Sequence, residues 1–309
     1  MNIRLVMARF GCVAAILGIG WPAVADAPLR VCLQSDDPPL SSRDSGTASG
    51  FDVALSRMIA ERLGRPLAIQ WFTTPLDPDS NPPTEDNALL SDGHCELVAD
   101  YPLIADEIGH PRAKTGTLPP FEGSMPQDRR RWVPLGTLAP TQPYRFDAIT
   151  VVLSPARRSR TVRTLSDVAD LKLGVEIHSL ADLIAMSYGQ GRLADRVVHF
   201  PDSRSLFAQL ESGDIDAALA DQHEFDAWRL EHPGTHAVAS GYTHTIGFNM
   251  GFVGLSTSSA LIARVDAILS DLQSRGSLAE IAKGSGLTYL PPRSPRISPG
   301  IALSALTGD

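Results

Sequence analysis

The stretch from Leu29 to Phe72 constrains this chain most, because it sets a strand, a helix and a second strand in one short run. Leu29-Arg30-Val31-Cys32-Leu33 is a short apolar run and reads as a strand. Asp36-Asp37-Pro38-Pro39 must end it, since proline donates no ladder hydrogen bond and restrains the residue before it. Behind Gly50, the residues Phe51, Val53, Leu55, Met58, Ile59 and Leu63 recur at helical spacing, and Gly64 supplies a stop. Pro66 to Phe72 is apolar again and reads as a second strand. Such a unit sets the class as α/β and by itself says nothing of function.

Downstream, residues 73–86 turn to proline, aspartate, asparagine and serine and read as a surface excursion. Asn87 to Gly93 is a short helix candidate and Cys95 to Tyr101 a strand. A second excursion, Pro102 to Arg131, is rich in proline and glycine and is either a lid or decoration. Ala148 to Leu153 and Leu171 to Val175 read as strands, with a capped helical turn at Ser166 to Asp170 and a helix starting near Leu180. Val197 to Phe200 is a strand, Ser203 to Ser212 a helix ended by Gly213, and Asp214 to Asp221 an apolar strand that finishes on an acid. In open α/β sheets ligands gather outside the carboxyl ends of strands, which makes Asp221 a candidate contact. Phe252 to Leu255 is a strand and Ala260 to Ser274 an amphipathic helix; the proline-rich tail after Pro291 has no period and is expected to be flexible.

A chain of 309 residues, 43% hydrophobic and 20% charged, can bury a sizeable core and is expected to form two lobes. Its formal net charge of −8 gives no basic footprint for nucleic acid or for anionic membranes. Met1 to Ala25 carries Arg4 and Arg9 ahead of an apolar stretch and ends in Ala23-Val24-Ala25, the pattern of a cleaved secretory signal. Its removal would take Cys12 and leave Cys32 and Cys95 in an oxidising compartment. These two flank what would be adjacent strands, so a disulfide is expected; the alternative is two buried thiols. Two cysteines alone do not make a zinc site, and neither a metal nor another cofactor is expected.

Several motifs, in their order, resemble the bacterial extracellular solute-binding proteins of the amino-acid type, family 3, with the type 2 periplasmic-binding fold. They are Leu29-Arg30-Val31, Pro38-Pro39-Leu40-Ser41-Ser42, Gly50 to Leu55 and Ile59 to Gly64, then Gly93 to Val98 and the closing Arg275-Gly276-Ser277 to Ile281. The resemblance covers nearly all of Pro28 to Leu290. It implies two lobes, 26–147 with 248–290 and then 148–247, joined by two chain crossings around a ligand cleft, with 291–309 as a tail. It also implies a periplasmic protein that delivers a small polar ligand, an amino acid or small organic acid, to an ABC transporter permease.

Three residues carry the ligand contacts that this resemblance implies. Pro126 to Arg131 with Val133, Leu135 and Pro143-Tyr144 resemble the segment that holds the family's carboxylate-binding arginine, which puts Arg129 in that role and Arg130 as its substitute. A guanidinium fork matches a carboxylate bidentately, although three consecutive arginines also suit a solvated face. Ser179 stands at the helix start that meets the carboxylate, or is a plain N-cap. In Leu210-x-x-Gly213-x-Ile215-Asp216-Ala217-Ala218-x-x-Asp221 the last residue resembles the acid that pairs with a ligand ammonium; its bland alternative is an N-cap.

Other functions leave weaker marks. No Gly-x-Ser-x-Gly elbow or His-Glu-x-x-His pair is present, and His223, His232, His236 and His244 read as scattered surface histidines, so an enzyme is not expected. A few relatives of this fold are dehydratases. Leu29 to Cys32, Gly93 to Glu96 and Pro143-Tyr144-Arg145 also resemble solute-binding-like proteins associated with periplasmic quinoprotein alcohol dehydrogenases, which makes an accessory role with such a dehydrogenase the competing expectation.

Overall fold

The computed structural model describes residues 27–44, 46–74, 80–125, 128, 131–302 and 304–308. The expected signal peptide, Met1 to Ala25, and both Arg129 and Arg130 lie outside these residues.

The opening unit folds as its pattern dictates. β1 (Leu29–Gln34) leads into a small antiparallel meander, β2 (Asp36–Asp37), β3 (Ser41–Asp44) and β4 (Thr47–Ser49), before α1 (Phe51–Leu63) and β5 (Leu67–Phe72). β1 and β5 are parallel neighbours. Gly50 has φ 114°, and a Cβ there would come within 2.4 Å of the Leu40 carbonyl oxygen. That close approach lets the Phe51 and Asp52 N–H groups donate to the Pro39 and Leu40 carbonyls at 2.9 and 2.8 Å, so the loop after β1 caps α1 in place of a side chain.

α2 (Pro82–Ser91) starts five residues before the expected helix. Prolines at the first helical positions lack only N–H groups that would be orphaned anyway, and Asn81 caps the end by accepting from the Thr84 N–H at 3.2 Å. β6 (Leu97–Pro102) follows, pairing parallel with β1. The Cys32–Cys95 disulfide closes across this pair with a Cα separation of 5.6 Å. The described part of the second excursion packs against the first lobe. Its hairpin, β7 (Thr115–Thr117) with β8 (Trp132–Pro134), packs on α2, and Leu118 and Val133 join the disulfide in one buried cluster.

β9 (Leu138–Pro140) precedes the first crossing strand, β10 (Arg145–Leu153). The second lobe then builds β11 (Leu173–Glu176), α3 (Leu180–Ser187), β12 (Val197–Phe200), α4 (Ser203–Ser212), β13 (Ala217–Asp221) and α5 (Gln222–Glu231). β14 (Val238–Leu255) is the return crossing, much longer than the four-residue strand expected there, and α6 (Ser259–Ser274) and α7 (Ser277–Ser285) pack back on α1. Among the described residues one sheet runs β12-β11-β13-β10-β14-β6-β1-β5, with β9 also on β14. The two lobes share this sheet through β10 and β14. One core gathers Leu29, Phe51, Leu55, Tyr144 and Phe252; another gathers Ile149, Leu165, Leu173, Ile184 and Leu219.

At the crossing, Ala148 pairs with Gly247 and the ladder then shifts register twice, at Thr150 and at Val152. Bulges of this kind bend a strand and increase its twist. A Cβ on Gly247 would lie 2.3 Å from the Asp147 carbonyl oxygen, so only glycine lets the two crossing strands approach this closely.

The tail does not follow the expectation of a flexible segment. The Asn249 side chain donates to the Arg293 and Pro295 carbonyls at 2.7 and 3.0 Å and accepts from the Arg293 N–H, and Ser298 exchanges backbone hydrogen bonds with Leu103 and Ala105. Farther on, Leu306 is buried in the second core and the Gly189 N–H donates to the Thr307 carbonyl. The tail therefore runs from one lobe to the other alongside the crossing strands. Its composition hid this because the hydrogen bonds that anchor it engage the tail's backbone groups, which no residue pattern advertises.

The disulfide closes a loop with a sequence separation of 63, and removing it with Cys32→Ala and Cys95→Ala should cost ~2–4 kcal/mol. Urea titration with a lowered midpoint would show this. Two alkylatable thiols in the unreduced, denatured wild type would contradict the bridge.

Candidate binding cleft

The carboxyl ends of β1, β6, β11 and β13 converge between the lobes. A cleft of about 680 Å³ opens there, lined by Asp36, Asp37, Glu176, Asp202, His223 and Glu224 among others. A neighbouring cavity of about 660 Å³ lies against Pro39, Gly50 and Arg57; Pro38, Ala227 and Glu231 line both.

The floor is built on Arg145, which is 3% exposed. Its Nε donates to Asp100 Oδ1 at 3.0 Å, its Nη2 reaches the same oxygen, and its Nη1 donates to Asp147 Oδ1 at 2.9 Å. Arg145 and Asp147 stand two apart on β10, so the pleat turns both to one face. Asp100 holds a left-handed backbone, φ 56°, and its N–H donates to the Tyr144 hydroxyl at 2.7 Å, which in turn donates to buried Asp52 at 2.8 Å. The β10–β13 register pairs Ile149 with Asp221, and two steps further it sets Asp147 opposite His223. The His223 ring completes this with Nδ1 3.1 Å from Asp147 Oδ1.

Charge sets the character of the cleft. Burial works against the Arg145 cation, but the Asp100 and Asp147 carboxylates overcome it and hold the guanidinium well above its ordinary range. Burial likewise opposes ionisation of Asp147, yet Arg145 and then His223 hold that carboxyl below the usual range. His223 would be pulled down by burial; Asp147 pushes it well above its ordinary value. For the remaining acids the pull of His223 does not offset burial. Burial, then the Asp147 charge, pushes Asp221 up to about 7; burial, then Asp221, pushes Glu224 up to about 8; and burial pushes Asp37 up to about 6. Neither Asp221 nor Glu224 accepts a side-chain hydrogen bond from a described residue.

The expected contacts fare differently. Asp221 lies in the cleft group with Asp147 and His223, and although it occupies the N-cap position of α5 its side chain makes no capping bond. Ser179 is used locally: its hydroxyl donates to the Glu176 carbonyl at 2.7 Å and accepts from the Asp182 N–H at 3.1 Å, capping α3. Arg131, beyond the undescribed Arg129, pairs with Asp92 ahead of β6, at the opposite end of that strand from Asp100. The reading of scattered surface histidines fails for His223, which is held in the cleft by Asp147, and for His244, which is fully buried with its Nδ1 accepting from the Ile246 N–H. Arg145, Asp147, Asp37 and Glu224 were missed altogether. The period-two spacing of Arg145 and Asp147, at the very strand that enters the second lobe, was the signal that could have found the first two.

No protein-family model matches the chain, and no curated protein matches it by sequence. Solved structures do match in shape. The L-cystine solute receptor of Neisseria gonorrhoeae, unliganded and open, gives a TM-score of 0.62 at 15% identity over 86% of this chain and 96% of its own. An ancestral cationic amino acid solute binding protein gives 0.58 at 17% identity over 83% and 94%. A histidine kinase sensor domain with similarity to periplasmic binding proteins gives 0.51 at 18% identity over 86% and 98%. The chain thus has the two-lobed type 2 periplasmic-binding fold, with two crossings and a cleft between the lobes.

The raised acids give a pH dependence with a definite sign. Asp37, Asp221 and Glu224 hold protons in the folded state that the unfolded chain releases near pH 4, so folding loses stability as pH rises through about 6 to 8. His223 acts in the same direction, since its contribution is complete below about pH 6.5 and is lost as pH rises through its raised folded value. Ligand-free protein should therefore melt higher at pH 5.5 than at pH 8.5, and Asp221→Asn should flatten the profile. An unchanged slope in that variant would refute the placement of Asp221 in a desolvated acidic group.

Proposed function

We propose that this chain is an exported solute-binding protein whose cleft captures a small polar ligand bearing an amine, of the amino-acid class, and presents it to an ABC transporter. The observation that carries this is Asp221: an acid at a strand end, grouped with Asp147 and the cleft-lining His223, that accepts no side-chain hydrogen bond from a described residue. Such a carboxylate is held at a cost that a ligand ammonium offsets, through a charge-assisted hydrogen bond in a water-poor site. Glu224 and Asp37 add to the same field, which favours cations. The carboxylate of an amino acid would fall to Arg129, since Arg145 is saturated by two acids and Arg204 is paired with Glu231. Ser179, as a helix cap, would assist only through the N-terminus it stabilises. Binding is favoured over catalysis because His223 bonds a carboxylate and not a hydroxyl or thiol nucleophile.

A thermal-shift screen over amino acids and amines, followed by calorimetry, tests this, since a ligand that binds only the folded state raises the melting point. With a ligand in hand, Asp221→Asn should weaken an amine-bearing solute by ~3–5 kcal/mol, about two to four orders of magnitude, while the protein stays folded. Equal affinity in the variant would show that Asp221 does not hold the amine.

A further inference from the structure

We propose that Asp147, Asp221 and His223 form a site for one first-row divalent cation at the floor of the cleft. One oxygen from each carboxylate and one imidazole nitrogen lie within 4.8 Å of one another. The tightest pair, His223 Nδ1 and Asp147 Oδ1, is already at 3.1 Å. Metal–ligand bonds of about 2.0–2.2 Å set neighbouring donor atoms about 3.0–3.5 Å apart, so the group needs only an inward rotation of Asp221 to close on an ion.

The backbone prepares this arrangement. Asp147 and Asp221 sit on hydrogen-bonded strands, and the register that pairs Ile149 with Asp221 carries His223 to a place opposite Asp147. Asp147 is held in orientation by Arg145, itself held by Asp100, which is the outer layer of support that metal-binding carboxylates use. Arg145 donates to Asp147 Oδ1 as well as to Asp100, and because Asp100 offsets its charge the group as a whole stays negative. Two carboxylates and the imidazole, once the ion displaces its proton, offer a charge of −2, and this oxygen–nitrogen set suits zinc, cobalt, nickel or manganese ions over soft monovalent ones.

Three protein donors leave at least one position open on a four-coordinate ion, and one of the donors, His223, borders the cleft that Asp37 and Glu224 also line. This deepens the binding reading at the same cleft and rests on it for the solute alone: an open position would take a solute carboxylate or amine directly, in place of the contact between the amine and Asp221. The ion itself needs no solute to be tested.

The test is titration of the chelator-stripped full chain with Co²⁺ alone, read by visible absorption and by metal content after gel filtration. The expected result is one tightly held Co²⁺ per chain, with affinity at least tenfold weaker in His223→Gln and in Asp221→Asn. No uptake, or equal affinity in both folded variants, overturns the proposal. Should His223→Gln fail to fold, the wild type loaded with Cu²⁺ should show imidazole nitrogen coupling in its electron paramagnetic resonance spectrum, lost on Asp221→Asn; a spectrum without nitrogen coupling overturns the site. An amino-acid panel in chelator separates the two readings. Solute binding without Co²⁺ uptake sinks the metal and keeps the binding reading, whereas Co²⁺ uptake with no solute bound does the reverse.

Discussion

The Arg145 guanidinium is the charge on which the centre of the molecule depends. Burying a cation this completely costs several kcal/mol unless it is paired, and about 3–5 kcal/mol is lost when one partner of such a pair is removed. Asp100, from β6, and Asp147, on the same crossing strand, supply the pairing. Because Asp100 is also tied through Tyr144 to Asp52 on α1, the helix, the central strand and the crossing are locked to one another by a single polar network. A network of this kind fixes where the strand ends stand, and with them the geometry of the cleft.

The surplus of negative charge follows from that arrangement. Arg145 is consumed by its own supports, so the acids that come later in the chain, Asp221 and Glu224, meet a floor that has no cation left for them except His223. Natural proteins seldom keep unpaired carboxylates half out of water without a use for them, and perturbed acids gather at functional sites. A second tie between lobes lies beside the cleft: fully buried Asp226 of α5 accepts from the Thr288 N–H at 2.6 Å and from its hydroxyl at 2.9 Å. α5 thus carries cleft acids on its first turn and an interlobe contact one turn later.

Much of the fold was legible in the sequence because apolar period, glycine stops and proline corners are local signals. β1, α1 and β5, and later α4, α6 and the strand ending at Asp221, came from those signals alone. Where the reading missed, the cause was a helix start that looked like a loop or a pairing made far along the chain. α2 began early because Asn81 and two prolines form a helix start that composition disguised as a loop. β14 extended to Val238 because pairing with β10, not propensity, sustains it. Of the candidate cleft group only Asp221 was legible, since a strand-end acid is visible in one dimension. His223 gains its meaning from a register two steps past a pair on another strand, which no single stretch of sequence contains.

The course of residues 293–308 alters how the two lobes can be thought of as moving. Two crossing strands alone make a hinge; a third segment, fixed to Asn249 and Leu103 at one end and to Gly189 and the second core at the other, makes a truss. Arg293 stacks over the Phe146 ring, 4.0 Å from its centre, right beside the crossing. Such bracing removes many splayed arrangements from the unbound ensemble, so less of the gross interaction energy goes into bringing the lobes together. The chain's last residues then act less as an appendage than as a limit on amplitude, setting how wide the cleft yawns before anything enters it.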